Sequence, residues 1–230
     1  KTTLVKLLAK MYEPTSGQIL VDGASLGRMP AEGWRARLAG AFQDFFRFEF
    51  RARETVGLGD VVRLEDEPAV TAAIERAGAS DVVAHLIAGL DTQLGPIWPG
   101  GVELSHGQWQ KLALARGFMR ARPLVLVLDE PTAALDAETE HALFERYAAA
   151  ARPSNNAGRP EAVEGGGPDG RDDSGRITIL VSHRFSTVRM ADLIVVLDGA
   201  HVVEVGAHDE LMAKRGQYAE LYGIQATAYR

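Results

Sequence analysis

Three short runs, Leu124 to Leu128, Ile177 to Val181 and Leu193 to Leu197, are nearly all apolar and rich in β-branched residues, and each ends at polar residues. A strand that is apolar at every position buries both of its faces, which is the pattern of a parallel sheet covered by helices on two sides. Segments with helical spacing lie between the runs. The chain therefore alternates strand with helix and is expected to be an α/β protein built on a mostly parallel sheet.

Other segments fill in that outline. Leu4, Val5, Leu7 and Leu8 give residues 1–10 a helical pattern that runs into the turn cluster Pro14-Thr15-Ser16-Gly17. Gln18 to Val21, ending at Asp22-Gly23, and Leu38 to Phe42 are expected as further strands. From Pro68 to about Leu90 the period is helical, with Asp66 and Ser80 as expected caps of two helices, and this alanine-rich stretch suits a small helical lobe. Helices are also expected over Trp109 to Met119 and over Asp136 to Ala151, the latter capped by Asp136. Arg152 to Gly175 is rich in Gly and Pro and almost devoid of apolar groups. Such a segment cannot bury enough surface to offset its chain entropy, so a disordered surface insertion is expected there.

Composition narrows the function. A chain of 230 residues with 46% hydrophobic content supports one substantial core. Its formal charge of -6 lacks the basic excess that a nucleic-acid backbone demands, so no nucleic-acid partner is expected. The absence of cysteine rules out disulfides, thiolate metal sites and cysteine nucleophiles. No apolar run reaches the roughly 18 to 20 residues that span a bilayer. The opening Lys1-Thr2-Thr3-Leu4 reads as the interior of a longer gene product.

The ends of the expected strands carry the chemistry. Leu124 to Leu128 runs directly into Asp129-Glu130-Pro131-Thr132, and two adjacent carboxylates at the carboxyl end of a buried strand call for a compensating cation, for which Mg²⁺ is the natural choice. Alone, that tetrad is more often an ordinary acidic strand exit. Leu104-Ser105-His106-Gly107-Gln108 precedes a helix and would offer free backbone N–H groups and a hydroxyl to an anion, although a lone Ser105 could be only an N-cap. Ile177 to Val181 leads to Ser182-His183-Arg184, and Leu38 to Phe42 leads to Gln43, so the polar exits of three strands face one expected sheet edge. Lys1-Thr2-Thr3 matches the last positions of G-x-x-x-x-G-K-[ST], whose lysine reaches the β- and γ-phosphates; by itself it is no signal, because the glycines that make the motif specific are not in this sequence.

Taken in order, these pieces resemble the ABC ATPase family over nearly the whole chain. Lys1-Thr2-Thr3 looks like the end of the P-loop, Gln43 the Q-loop, Leu104 to Gln108 the LSGGQ signature, Leu124 to Glu130 the Walker B strand, Ala134-Leu135-Asp136 the D-loop and His183 the H-loop. The resemblance implies a P-loop NTPase core over 1–43 and 120–230, RecA-like, with a helical subdomain over 44–119, the first strands lying before Lys1. It implies hydrolysis of ATP to ADP and phosphate with Mg²⁺ as cofactor. Lys1, Thr2 and Thr3 would hold the phosphates, Thr2, Gln43 and Asp129 the metal, and Glu130 would be the general base, with Gln43 and His183 sensing the γ-phosphate. Ser105, Gly107 and Gln108 would bind nucleotide held by a second ATPase domain in a head-to-tail dimer that Asp136 supports.

Further details are similar to bacterial exporters whose motor is fused behind a membrane domain: Phe42-Gln43-Asp44-Phe45, Arg53-Glu54-Thr55-Val56, Gly89-Leu90-Asp91-Thr92 and Gly216 to Leu221. That likeness implies a place at the cytoplasmic face of the inner membrane, with a transmembrane domain upstream. Phe45, Phe46 and Phe48 would line the groove that receives a coupling helix, or would simply pack between lobes. His106 departs from the signature's first glycine. The rival readings are a soluble ABC ATPase acting on ribosomes or DNA, disfavoured by the lack of heptads or a second motif set, and a non-hydrolysing nucleotide switch, disfavoured by Glu130 and His183.

Overall fold

The structure, a computed structural model, describes residues 1–120, 122–130 and 176–228. The expected helix from Asp136 and the expected insertion over Arg152 to Gly175 lie outside the described residues. The first helix, α1 (Thr2–Leu8), is followed by a small hairpin of β1 (Leu20–Val21) and β2 (Ala24–Ser25), then α2 (Ala31–Arg35) and β3 (Leu38–Ala41). The hairpin turns at Asp22-Gly23, with φ of 50° and 78°, the left-handed pair that a tight two-residue turn requires. Next come α3 (Ala52–Gly57), α4 (Glu67–Arg76), α5 (Ser80–Ala84) and α6 (His106–Gly117). Asp66 caps α4 by accepting from the Ala69 N–H at 3.1 Å. Ser80 does not cap α5: it is the first residue of the helix, and the N-cap position falls to Ala79 without a side-chain bond.

The central strand is β4 (Val125–Asp129), which pairs in parallel with β3 on one side and with β5 (Ile177–Val181) on the other. Its side chains divide between two cores, as alternation along a strand dictates. Val125 and Val127 meet Val5 of α1, Leu26 and Trp34. Leu126 and Leu128 meet the cluster built by α3, α4 and α6. Two-sided burial thus holds for β4, whereas β5 is only half-buried, with Ile177 57% exposed. The helix α6 reaches the sheet closely because glycines meet there: a Cβ added to Gly117 would lie 2.6 Å from the Gly40 carbonyl oxygen of β3.

Two anchors fix α1 over β4. At its carboxyl end the backbone turns left-handed at Lys10, whose ammonium donates to the carbonyls of Leu26, Gly27 and Met29. The α2 side chains Trp34 and Arg35 donate to the carbonyls of Leu8 and Ala9, which satisfies acceptors that a helix end leaves open.

The third apolar run departs from expectation. Instead of a parallel strand it forms β6 (Ile194–Asp198), paired antiparallel with β7 (His201–Gly206) in a separate two-stranded ribbon. The turn that follows sets its pairing with the next strand: Gly199 and Ala200 have φ of 50° and 67°, which folds the chain back within two residues so that β7 returns antiparallel along β6. Val195 is accordingly 48% exposed. After β5 and before β6 lies α7 (Phe185–Val188), and the described chain closes with α8 (His208–Lys214) and α9 (Gln217–Ala228). Ile194, Leu211 and Tyr218 join the ribbon to these last helices in a third small core.

Candidate nucleotide site

Because β3, β4 and β5 run parallel and in register, their carboxyl ends emerge along one edge. Gln43 follows β3 and is exposed. Asp129 ends β4 and is 3% exposed, a carboxylate taken almost wholly out of water. Glu130 comes next with φ of 47°, a left-handed conformation that is strained for a residue with a Cβ; its N–H donates to the Val181 carbonyl at 2.9 Å, which pins that turn against β5. This turn sends the Glu130 side chain toward the exit of β5, where His183 Nδ1 lies 3.3 Å from Glu130 Oε1.

The β5 exit is itself shaped locally. Ser182 Oγ accepts from the Arg184 N–H at 3.0 Å, a turn closed by a side chain in place of a backbone carbonyl. Lys1, at the amino end of α1, reaches the same place: its Nζ donates to the Ser182 carbonyl at 3.4 Å. The structure thus brings Lys1, Glu130 and His183 together, with Asp129 in the adjoining strand position and Gln43 one strand away. Thr2 and Thr3 open α1 beside Lys1 and are exposed.

The other predicted residues lie elsewhere. Ser105 caps α6, its Oγ accepting from the Gln108 N–H at 3.3 Å while Gln108 Oε1 accepts from the Ser105 N–H at 2.8 Å, a reciprocal capping box. Gly107 lies in the first turn of the same helix. Among the described residues no hydrogen bond or ion pair joins Ser105, Gly107 or Gln108 to Lys1, Asp129, Glu130 or His183. Asp136 falls outside the described residues. His106 contacts Arg47, with Nδ1 3.2 Å from its Nη2, and its ring lies 5.4 Å from that of Phe45. Arg47 escaped the sequence reading, and no local pattern marks it, since the contact spans 59 positions.

A groove of about 460 Å³ opens beside this region, lined among others by Phe45, Phe46, Phe48, Gly59, Arg116 and Arg120. The aromatic residues lining it are placed differently from one another. Phe45 packs against the helical core, and Phe48 lies 4.7 Å beneath the Arg116 guanidinium. Phe46 stays 69% exposed. Arg116 donates to the Phe46 carbonyl through both terminal nitrogens, and burial pushes its pKa down.

A parallel sheet whose carboxyl edge gathers a lysine from a helix start, a buried aspartate, a glutamate and a histidine defines a P-loop nucleoside-triphosphate hydrolase fold. The ABC transporter family profile matches residues 1–133. The chain belongs to the ABC transporter family, and its activity class is that of an ATPase. It is 37% identical over 225 residues to a Staphylococcus aureus protein described as a multidrug export ATP-binding/permease protein, an alignment covering 98% of this chain and 34% of that one. It is 39% identical over 225 residues to the ATP-dependent lipid A-core flippase of Burkholderia orbicola, covering 98% and 33% respectively. A solved bacterial Atm1-family ABC exporter with ATP bound superposes with a TM-score of 0.79 at 31% identity, covering 98% of this chain and 35% of the exporter. The chain spans about a third of the length of the relatives it matches. Among the described residues no helix is long and apolar enough to cross a membrane.

Proposed function

We propose that this chain is the ATP-driven motor of a membrane exporter, working at the cytoplasmic face of the inner membrane beside a transmembrane domain to which it is fused. The observation that carries the reading is the meeting of Lys1, Glu130 and His183 at the edge where β4 and β5 end. Lys1 holds the β- and γ-phosphates of ATP with Thr2 and Thr3. Glu130 takes the proton of the attacking water, and His183, at 3.3 Å, holds that carboxylate and contacts the γ-phosphate. Gln43 senses the same phosphate from the end of β3. The division into a core over 1–43 and 120–230 and a helical lobe over 44–119 goes with this reading.

The residues fit Mg²⁺. Asp129, Thr2 and Gln43 offer a carboxylate, a hydroxyl and an amide carbonyl, all hard oxygen donors, and Asp129 is 3% exposed. Mg²⁺ commonly takes much of its shell from phosphate and water, so a few protein oxygens suffice. When bound, Mg²⁺ supplies neutralisation of phosphate charge.

Ser105, Gly107 and Gln108 complete the site of a second copy, head to tail, and Asp136 supports that contact. The N-terminus of α6 offers them as an anion-binding surface. Closure of the pair on ATP moves the membrane part through the groove around Phe46, and hydrolysis reopens it. Complementation tests the shared site. In the intact protein Ser105→Arg and Glu130→Gln each abolish turnover, while their mixture regains activity, because one of its two sites then draws an intact Glu130 from one copy and an intact Ser105 from the other. A mixture as inactive as either parent would sink the composite site.

A further inference from the structure

The loop that carries His183 is gripped from the far end of the chain. Tyr218, Tyr222 and Gln225 fall at helical spacing on one face of α9. From that face Gln225 Nε2 donates to the His183 carbonyl at 2.9 Å, and Gln225 Oε1 accepts from the Phe185 N–H at 3.4 Å. One planar amide therefore bridges the backbone on both sides of Arg184. The two rings seat the next residue: Phe185 lies edge-on at 5.4 Å from Tyr218 and 5.5 Å from Tyr222. That aromatic box is fixed in turn by His208, whose Nδ1 is 2.8 Å from the Tyr218 hydroxyl, and by Glu204, which accepts from the Tyr218 N–H.

The His183 imidazole is 60% exposed, so packing does little to aim it. Its aim depends on the backbone, which Ser182 closes from one side and Gln225 clamps from the other. We propose that Gln225 is a positioning residue for catalysis: by bridging the His183 carbonyl and the Phe185 amide it keeps the imidazole within reach of Glu130, so α9 sets the alignment of the hydrolytic site. This rests on the reading of His183 as the γ-phosphate-sensing residue. Gln225 touches neither substrate nor metal and acts only through His183.

The test is a double-mutant cycle in the intact protein, reading kcat and KM for ATP separately. Gln225→Met keeps the length of the side chain and removes both hydrogen bonds. It lowers kcat about tenfold, the scale of a small misplacement of a catalytic group, with KM within about twofold. In a His183→Ala background the same change moves kcat less than about twofold, because the group it positions is gone. If Gln225→Met fails to fold, Gln225→Asn, one methylene too short to span both bonds, carries the same expectation. A tenfold loss that persists in the His183→Ala background would reduce Gln225 to a structural role and overturn the proposal while leaving His183 in place. Unchanged kcat for Gln225→Met in the wild-type background overturns it equally. A His183→Ala protein with full turnover would instead refute the reading of His183 and take this proposal down with it.

Discussion

On the proposed reading, replacing Glu130 by Gln removes the general base and little else. The carboxylate is 23% exposed and lies 3.3 Å from His183 Nδ1. The amide is isosteric, and its Oε1 can still accept from that nitrogen, so the pair keeps its geometry. What goes is proton affinity, and a positioned general base contributes about 10²- to 10⁴-fold to rate. At about 1.36 kcal/mol per tenfold, the barrier to hydrolysis rises by about 2.7 to 5.4 kcal/mol. The ground-state cost is small, since an uncharged acceptor of the same shape replaces a partly solvated carboxylate beside a solvent-facing imidazole. Steady-state phosphate release by the intact protein is therefore expected to fall at least a hundredfold. ATP binding, measured by equilibrium dialysis, and the melting temperature without nucleotide stay near wild type. Turnover within a factor of three of wild type would remove Glu130 from the role of base. Loss of ATP binding together with turnover would mean that the residue holds the site together and does not activate water.

Other expectations follow from the packing. Gly117→Ala places a Cβ 2.6 Å from the Gly40 carbonyl oxygen and should cost about 1 to 3 kcal/mol as overpacking between α6 and β3, read by denaturant unfolding. Lys10→Met removes the donors to three carbonyls from a side chain only 9% exposed; stability is expected to drop by about 2 to 3 kcal/mol and nucleotide affinity to weaken with it, because α1 carries Lys1 and Thr2. Asp66 is held below the ordinary aspartate range by Arg63 and the Ala69 amide. Its folded-state value is thus depressed, so its contribution is present above about pH 4 and fades as the pH falls through the lowered value. The stability gap between wild type and Asp66→Ala should narrow from pH 6 to pH 3, and a gap that widens would reverse that sign.

How much of this could be read from the letters depends on whether the responsible force is local. The run at β4 was legible because two-sided burial leaves an apolar residue at every position, and the carboxylates that follow are forced to the strand's end. The run at β6 has nearly the same composition, yet it pairs antiparallel. The difference lies in the Gly199-Ala200 turn that follows it, a two-residue left-handed turn like the one at Asp22-Gly23. The exposed Val202, Val203 and Val205 show that the valines there answer to pairing more than to burial.

The contacts that align the site are of another kind. Glu130 meets His183 across 53 positions because a left-handed residue at a strand exit swings one side chain toward the next strand, and the backbone angle that does so leaves no mark on residue type. Gln225 meets the His183 carbonyl across 42 positions and comes from a helix whose sequence shows only two tyrosines and a glutamine at helical spacing. Strand exits tell which residues belong to a site of this fold, since parallel register brings them to one edge whatever lies between. The angle at which each group is held belongs to the packing of distant elements. Variants of α9 are therefore expected to alter the rate of hydrolysis at the edge of β4 without altering which residues form that edge.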